Sequence, residues 1–111
     1  MIQGFITELR RGTLTLAVLS CLSGAQYGYS LLQEIEGKGV RIEANTLYPL
    51  LRRLESQGLL ESAWDTGQSR PRKYYRLNNK GVAILERLKE EWRRMSREMD
   101  KILREDGTWS N

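Results

Sequence analysis

The 111-residue chain is predicted to adopt a mainly α fold of three helices, a two-stranded β hairpin and one long terminal helix. Three observations predict it. Gly24, Gly28, Gly37, Gly39, Gly58 and Gly67 cut the first 77 residues into pieces of helix and hairpin length. Apolar residues keep helical spacing up to Gln57, and two short strand-like runs follow Gly58, the second of them alternating. From Asn78 a single apolar seam continues to the end of the periodic sequence. Area scaling gives roughly 6,300 Å² folded against about 18,700 Å² unfolded, enough for one modest core. The expected division is 1–77 as the core unit, 78–106 as the terminal helix and 107–111 as a disordered tail.

The first helix is expected from about Phe5 to Leu22, with Leu14, Ala17, Val18, Cys21 and Leu22 on its core side. A second stripe, Ile2, Phe5, Leu9, Gly12, Leu16 and Leu19, makes it apolar on two sides, so two covers are needed. A short second helix, about Tyr29 to Glu36, offers Leu31, Leu32 and Ile35 before the Gly37-Lys38-Gly39 turn. The third, about Asn45 to Gln57, aligns Leu47, Leu50, Leu51 and Leu54, and Gly58 supplies a left-handed stop. Runs Leu59 to Asp65 and Arg72 to Leu77 read as strands. Alternation sends Tyr75 and Leu77 inward and Arg72, Tyr74 and Arg76 outward. Trp64 is expected to pack under this hairpin. The last helix is capped by Asn78 or Asn79 and runs to about Glu105, roughly 40 Å at 1.5 Å per residue. Leu85, Leu88, Trp92, Met95, Met99 and Ile102 fall on it at alternating steps of three and four, a heptad seam that calls for another helix.

Composition narrows the function. The chain has no His and one Cys, so it lacks the side chains of most zinc sites, Ser-His or Cys-His nucleophiles and bases working near neutral pH. Adjacent acids such as Glu90 and Glu91 do not face each other on a helix, so an acid–base pair is not read there. No enzyme activity and no cofactor are expected. Arg10-Arg11 and the apolar run Thr13 to Leu22 imitate an export signal, but helical spacing and the absence of a span of about 20 apolar residues favour a cytoplasmic protein without a membrane segment. The lone Cys21 fits a reducing compartment.

Charge points to a polyanion. The excess of 18 Lys+Arg over 14 Asp+Glu concentrates between Thr66 and Lys80, which holds Arg70, Arg72, Lys73, Arg76 and Lys80 and no acid. On a helical wheel of the third helix the leucines share one side, while Asn45, Pro49, Arg52 and Ser56 point nearly opposite, flanked by Tyr48 and Arg53. Arg and Asn can make paired hydrogen bonds to base edges, and Tyr and Thr can bond phosphates. Arg52 and Arg53 could instead be a solvated face paired with Glu55 or Glu61. A polar helix face followed within 20 residues by a hairpin whose tip is basic and acid-free favours double-stranded DNA as the partner. The other class of reading is a protein–protein interaction module that uses the hairpin as a docking loop.

The stretch from Asn45-Thr46-Leu47-Tyr48-Pro49 through Arg52-Arg53-Leu54-Glu55, with Gly58-Leu59-Leu60, Arg70-Pro71-Arg72-Lys73-Tyr74-Tyr75-Arg76-Leu77, Gly81 and Tyr27-Gly28-Tyr29, resembles the winged helix-turn-helix regulators of the PadR family, from about Arg11 to Leu103. The single terminal helix is similar to the short-chain subfamily. The resemblance implies a dimeric, sequence-specific transcriptional repressor with its third helix in the major groove and its wing on the flanking backbone, on an inverted repeat often of the ATGT/ACAT kind. By position it implies phosphate or groove contacts for Thr46 and Tyr48, a backbone or base contact for Arg52, and wing contacts for Arg72 and Lys73. The expected DNA-binding set is therefore Asn45, Thr46, Tyr48, Pro49, Arg52, Arg53, Arg70, Arg72 and Lys73. Asn45 stands where the family often has a smaller residue or proline, and Gly67-Gln68-Ser69 replaces the double glycine frequent at the wing tip.

A two-fold homodimer is expected to join the seam of one copy to that of another and to the second stripe of the first helix, through Phe5, Leu9, Leu16, Leu85, Leu88, Trp92, Met95, Met99 and Ile102. Trp92, Met95 and Met99 have two readings. They fill this interface, the commoner use of such residues, or they wall a cavity for a small planar aromatic effector, as in the multidrug-responsive relatives this helix resembles.

Overall fold

In the computed structural model, residues 1–67 and 69–105 are described; Gln68 and the expected tail, 107–111, lie outside them. The chain order is α1 (Ile2–Ser20), β1 (Gln26–Tyr27), α2 (Gly28–Gly37), α3 (Ala44–Ser56), β2 (Leu60–Asp65), β3 (Arg72–Leu77) and α4 (Asn79–Glu105). The helices and the hairpin lie within a few residues of their expected places, with α1 beginning earlier than its first large core residue suggests.

The sheet is the main departure. It has three antiparallel strands in the order β1-β3-β2, not two. Gln26 and Tyr27 add an edge by pairing with Tyr75 and Tyr74, and β2 pairs with β3 from Leu60↔Leu77 to Asp65↔Arg72. The wing is thereby sewn to the segment that joins α1 to α2.

Two glycines set helix ends. Gly39 and Gly58 have φ of +89° and +83°, the left-handed region that only glycine enters without strain. At each, the following N–H reaches back to close the helix: Val40 N–H bonds the Ile35 carbonyl at 3.2 Å and Leu59 N–H the Leu54 carbonyl at 3.0 Å. The α4 start uses the expected cap: Asn78 Oδ1 accepts the Gly81 N–H at 2.8 Å, and Asn78 Nδ2 donates to the Gly58 carbonyl at 2.8 Å. One asparagine therefore ties α4 to the end of α3.

The core lies among α1, α2, α3, the sheet and the first turns of α4. Val18, Leu19, Leu22, Leu31, Leu47 and Leu51 are fully buried, and Tyr75 closes the sheet side. Truncating one of the buried leucines to Ala costs about 2–5 kcal/mol. Three residues of the expected dimer set, Leu16, Leu85 and Leu88, and Leu19 of the second stripe lie in or against the core instead. Leu19, placed on the second stripe of the first helix, is core, and Leu16 packs against it. Leu85 is only 5% exposed and belongs to the same core, with Leu88 packed against it. Leu85 thus does not face a partner, because the first turns of α4 cover the protomer's own sheet and α1. The seam left open begins at Trp92 and runs through Met95, Met99 and Ile102; on α1, Ile2, Phe5 and Leu9 are exposed. Cys21, half-buried at the end of α1, has its thiol pushed up by burial and by the neighbouring Glu34. Among the described residues no helix is long and apolar enough to cross a membrane.

Candidate nucleic-acid interface

The α3 face opposite the leucines is open. Asn45, Thr46, Pro49, Arg52 and Arg53 are exposed and Tyr48 is half-buried. Pro49 is the sixth residue of α3, so the bond it cannot donate leaves the Asn45 carbonyl without its helical partner. The rim of Tyr48 lies against Gly28, where an added Cβ would stand 2.3 Å from Tyr48 Cε1. Gly28 is what lets α2 and α3 approach this closely, which gives the Tyr27-Gly28-Tyr29 sequence its structural reason.

Two acids near this face, Glu55 and Glu61, are engaged elsewhere. Glu55 Oε1 pairs with Lys73 Nζ at 3.2 Å and its other oxygen accepts the Ser62 hydroxyl. Glu61 pairs with Arg76 at 3.0 Å. The solvated-face alternative, in which Arg52 and Arg53 pair with those two acids, is therefore not what forms. Arg52, Arg53, Arg70 and Arg72 make no ion pair among the described residues.

Lys73 is the expected contact whose setting differs. Alternation puts it on the inner face of β3 with Tyr75, and it reaches α3 rather than open solvent. Burial opposes its charge, yet the bond to Glu55 prevails and raises its pKa; the Ser62 hydroxyl, then Lys73, hold the Glu55 carboxyl below the usual range. Lys73 thus works first as a strut that fixes the hairpin to α3. A second strut lies further out. The Tyr27 hydroxyl donates to Asp65 Oδ2 at 2.5 Å, the Gly67 N–H donates to Asp65 Oδ1 at 3.0 Å, and the Arg72 guanidinium sits 3.9 Å over the Tyr27 ring. Tyr27 was not among the expected site residues, because its partner lies 38 positions away and no periodicity connects them.

Trp64, expected under the hairpin, is 62% exposed. It occupies the inner face of β2, opposite Lys73, where the hairpin overhangs the end of the core. Among the described residues no group of His, Cys, Asp and Glu is placed to hold a metal ion.

Comparison with known proteins settles the family. Residues 16–87 match the transcriptional regulator PadR-like family. The chain belongs to that family. This PadR-like chain is 37% identical over 79 residues to a transcriptional regulator of Mycobacterium tuberculosis, covering 70% of the chain and 74% of the relative. It superposes on the crystal structure of a PadR family transcriptional regulator from Eggerthella lenta with a TM-score of 0.87 and 49% identity, covering 92% of this chain and 91% of that one. The fold of Bacillus subtilis PadR, solved in complex with operator DNA, is shared at a TM-score of 0.62 and 22% identity, over 68% of this chain and 45% of that one. The PadR-like chain is accordingly a winged helix-turn-helix protein of a transcription-regulator family.

Proposed function

We propose that this PadR-like protein is a cytoplasmic, dimeric repressor that binds a palindromic operator by laying α3 in the major groove and the wing on the adjacent backbone. The observation that carries the reading is the set of unpaired guanidinium groups, Arg52 and Arg53 on α3 and Arg70 and Arg72 on the wing, on two elements joined by the Lys73–Glu55 strut. Glu55 and Glu61, the acids that a solvated α3 face would pair with Arg52 and Arg53, are spent on Lys73 and Arg76. Asn45 and Arg52 supply the base-reading groups, and Thr46 and Tyr48 the phosphate donors. The operator complex of Bacillus subtilis PadR supports a duplex as the partner.

In the same reading two copies pair through Phe5, Leu9, Trp92, Met95, Met99 and Ile102, all exposed on the protomer. Trp92, Met95 and Met99 then border the junction, where a small planar aromatic effector favouring a dimer of the wrong spacing would release the operator. The test is a mobility-shift titration on the DNA upstream of the protein's own gene at two salt concentrations. Arg52→Ala is expected to cost about 1–3 kcal/mol on that fragment, and Arg72→Ala to lower the slope of log affinity against log salt by about 0.9. Wild-type affinity and slope in both variants would remove the site assignment, and a shallow salt response of the wild type would favour a protein partner instead.

A further inference from the structure

Under the overhanging hairpin runs a groove of about 470 Å³ whose lining includes Tyr29, Gln33, Tyr48, Trp64, Arg72 and Lys73, and no carboxylate residue. Its walls come from α2, α3 and both long strands. Two of them are conspicuous for a protein surface: Tyr29 is 63% and Trp64 62% exposed, large aromatic side chains left uncovered by the protomer. Both carry a donor at the polar end, the phenol O–H and the indole N–H, the latter a donor only. The two nearest acids are turned to other work, Glu55 to Lys73 and Ser62, and Asp65 to Tyr27 and Gly67. The cleft is therefore rich in hydrogen-bond donors, carries the Arg72 guanidinium on its wall, and offers aromatic surface beside them.

That chemistry complements a sugar–phosphate chain, which presents an anionic oxygen pair next to an apolar ring. The groove also bridges the two surfaces of the proposed interface, since Tyr48 belongs to α3 and Trp64 to the wing. We infer that this groove seats one stretch of the DNA backbone between the recognition helix and the wing, with Tyr29 and Trp64 as uncharged donors to phosphate and Arg72 as the ionic contact. The inference rests on the DNA-binding reading and adds two contact residues that the sequence pattern does not supply. Because phosphates are the same in every sequence, these contacts hold any duplex alike.

The experiment measures the affinity of the full chain and of Tyr29→Phe, Trp64→Leu and Arg72→Ala for two duplexes at two salt concentrations. One duplex is the fragment upstream of its own gene, and the other a scrambled fragment of equal length. Tyr29→Phe and Trp64→Leu are expected to weaken both duplexes by the same factor, about 10- to 100-fold each, the worth of a hydrogen bond from a neutral donor to a charged acceptor, with the salt slope unchanged. Arg72→Ala is expected to lower the slope. In parallel, the indole N–H resonance of Trp64 in the unsubstituted chain, recognised by its loss in Trp64→Leu, is expected to shift on addition of either duplex, a readout that does not depend on how well a variant folds. An unmoved resonance with the duplex bound, wild-type affinity in both aromatic variants, or a loss confined to the upstream fragment overturns the inference while leaving DNA binding intact. Failure of the wild-type chain to bind either duplex removes the DNA-binding reading and this one with it.

Discussion

At position 81 the first turn of α4 meets the strand that leaves α3. A Cβ placed on Gly81 would stand 2.2 Å from the Leu59 carbonyl oxygen and 3.0 Å from Leu77 Cδ2. The first obstacle is backbone, and that backbone is held, since the same Leu59 carbonyl accepts the Asn78 N–H at 3.1 Å. Gly81→Ala must therefore push α4 away from the sheet or break the Asn78 cap. The expected cost is about 1–3 kcal/mol, seen as a melting temperature lowered by about 4–15 °C. An unchanged melting curve would mean that α4 is not packed as closely as these contacts require. Gly28 is a different case, because what a Cβ meets there is the ring edge of Tyr48, a side chain of α3 at the candidate interface. Substitution at Gly28 acts on the site, whereas substitution at Gly81 acts on the core.

The wing is an element whose position depends on a few polar ties rather than on apolar depth. Its base is anchored by Tyr75 and Leu60, but its outer half hangs on Glu55 and Asp65. Both carboxyls have folded pKa values below their ordinary ones, Glu55 through the Ser62 hydroxyl and then Lys73, Asp65 through the Tyr27 hydroxyl and then the Gly67 N–H. For a lowered carboxyl the stabilisation is complete above the unfolded value, near 4, and is lost as pH falls through the folded value. The Tyr27 hydroxyl is displaced upward by the same bond to Asp65, so its share is complete below about 10 and lost at higher pH. With no His in the chain, stability is expected to be level between about pH 5 and 8 and to decline below about 4. Glu55→Gln is expected to flatten part of that acid decline in melting temperature measured across pH. An identical profile in the variant would show that Glu55 is not a strut.

How far these elements could be foreseen depends on what makes each of them. The helices are written in local apolar spacing and in Gly39, Gly58 and Asn78, whose effects reach only a few residues along the chain. The open face of α3 follows from the same wheel that buries Leu47, Leu50, Leu51 and Leu54. β1 is two residues long and exists only because Tyr74 and Tyr75 are there to pair with it, so no pattern announces it. For Trp64 the expectation of a place under the hairpin has the correct face but not the depth, because the core ends before the strand does. Lys73 reads as a free wing cation until its partner, 18 positions back on α3, is brought beside it.

The whole molecule measures 63 × 32 × 21 Å with a radius of gyration of 17.0 Å, against about 13 Å for a rounded chain of this length. Its accessible surface of 8097 Å² likewise exceeds the roughly 6,300 Å² of a rounded chain of this mass. The excess accompanies the two apolar stretches the protomer leaves open, Ile2, Phe5 and Leu9 on α1 and Trp92, Met95, Met99 and Ile102 on α4. Once Leu85 is assigned to the core, the outer half of α4 has no apolar cover among the described residues, and a heptad seam of this kind is stable only against another helix. In the proposed dimer a second copy would supply one, and its two-fold relation would set the two α3 helices about 34 Å apart, one turn of DNA. Leu9→Glu combined with Met99→Glu places charges on both open stretches without touching the core, so each protomer is expected to keep its helical circular dichroism. Sedimentation is expected to fall from twice 12.9 kDa to 12.9 kDa at micromolar concentration. Affinity for a duplex carrying two half-sites should drop by about 10²- to 10⁴-fold as the second contact ceases to be intramolecular, while affinity for a single half-site stays level. A double mass that survives both charges would assign the pairing to some other surface, and the half-site spacing derived from this seam would then have no basis.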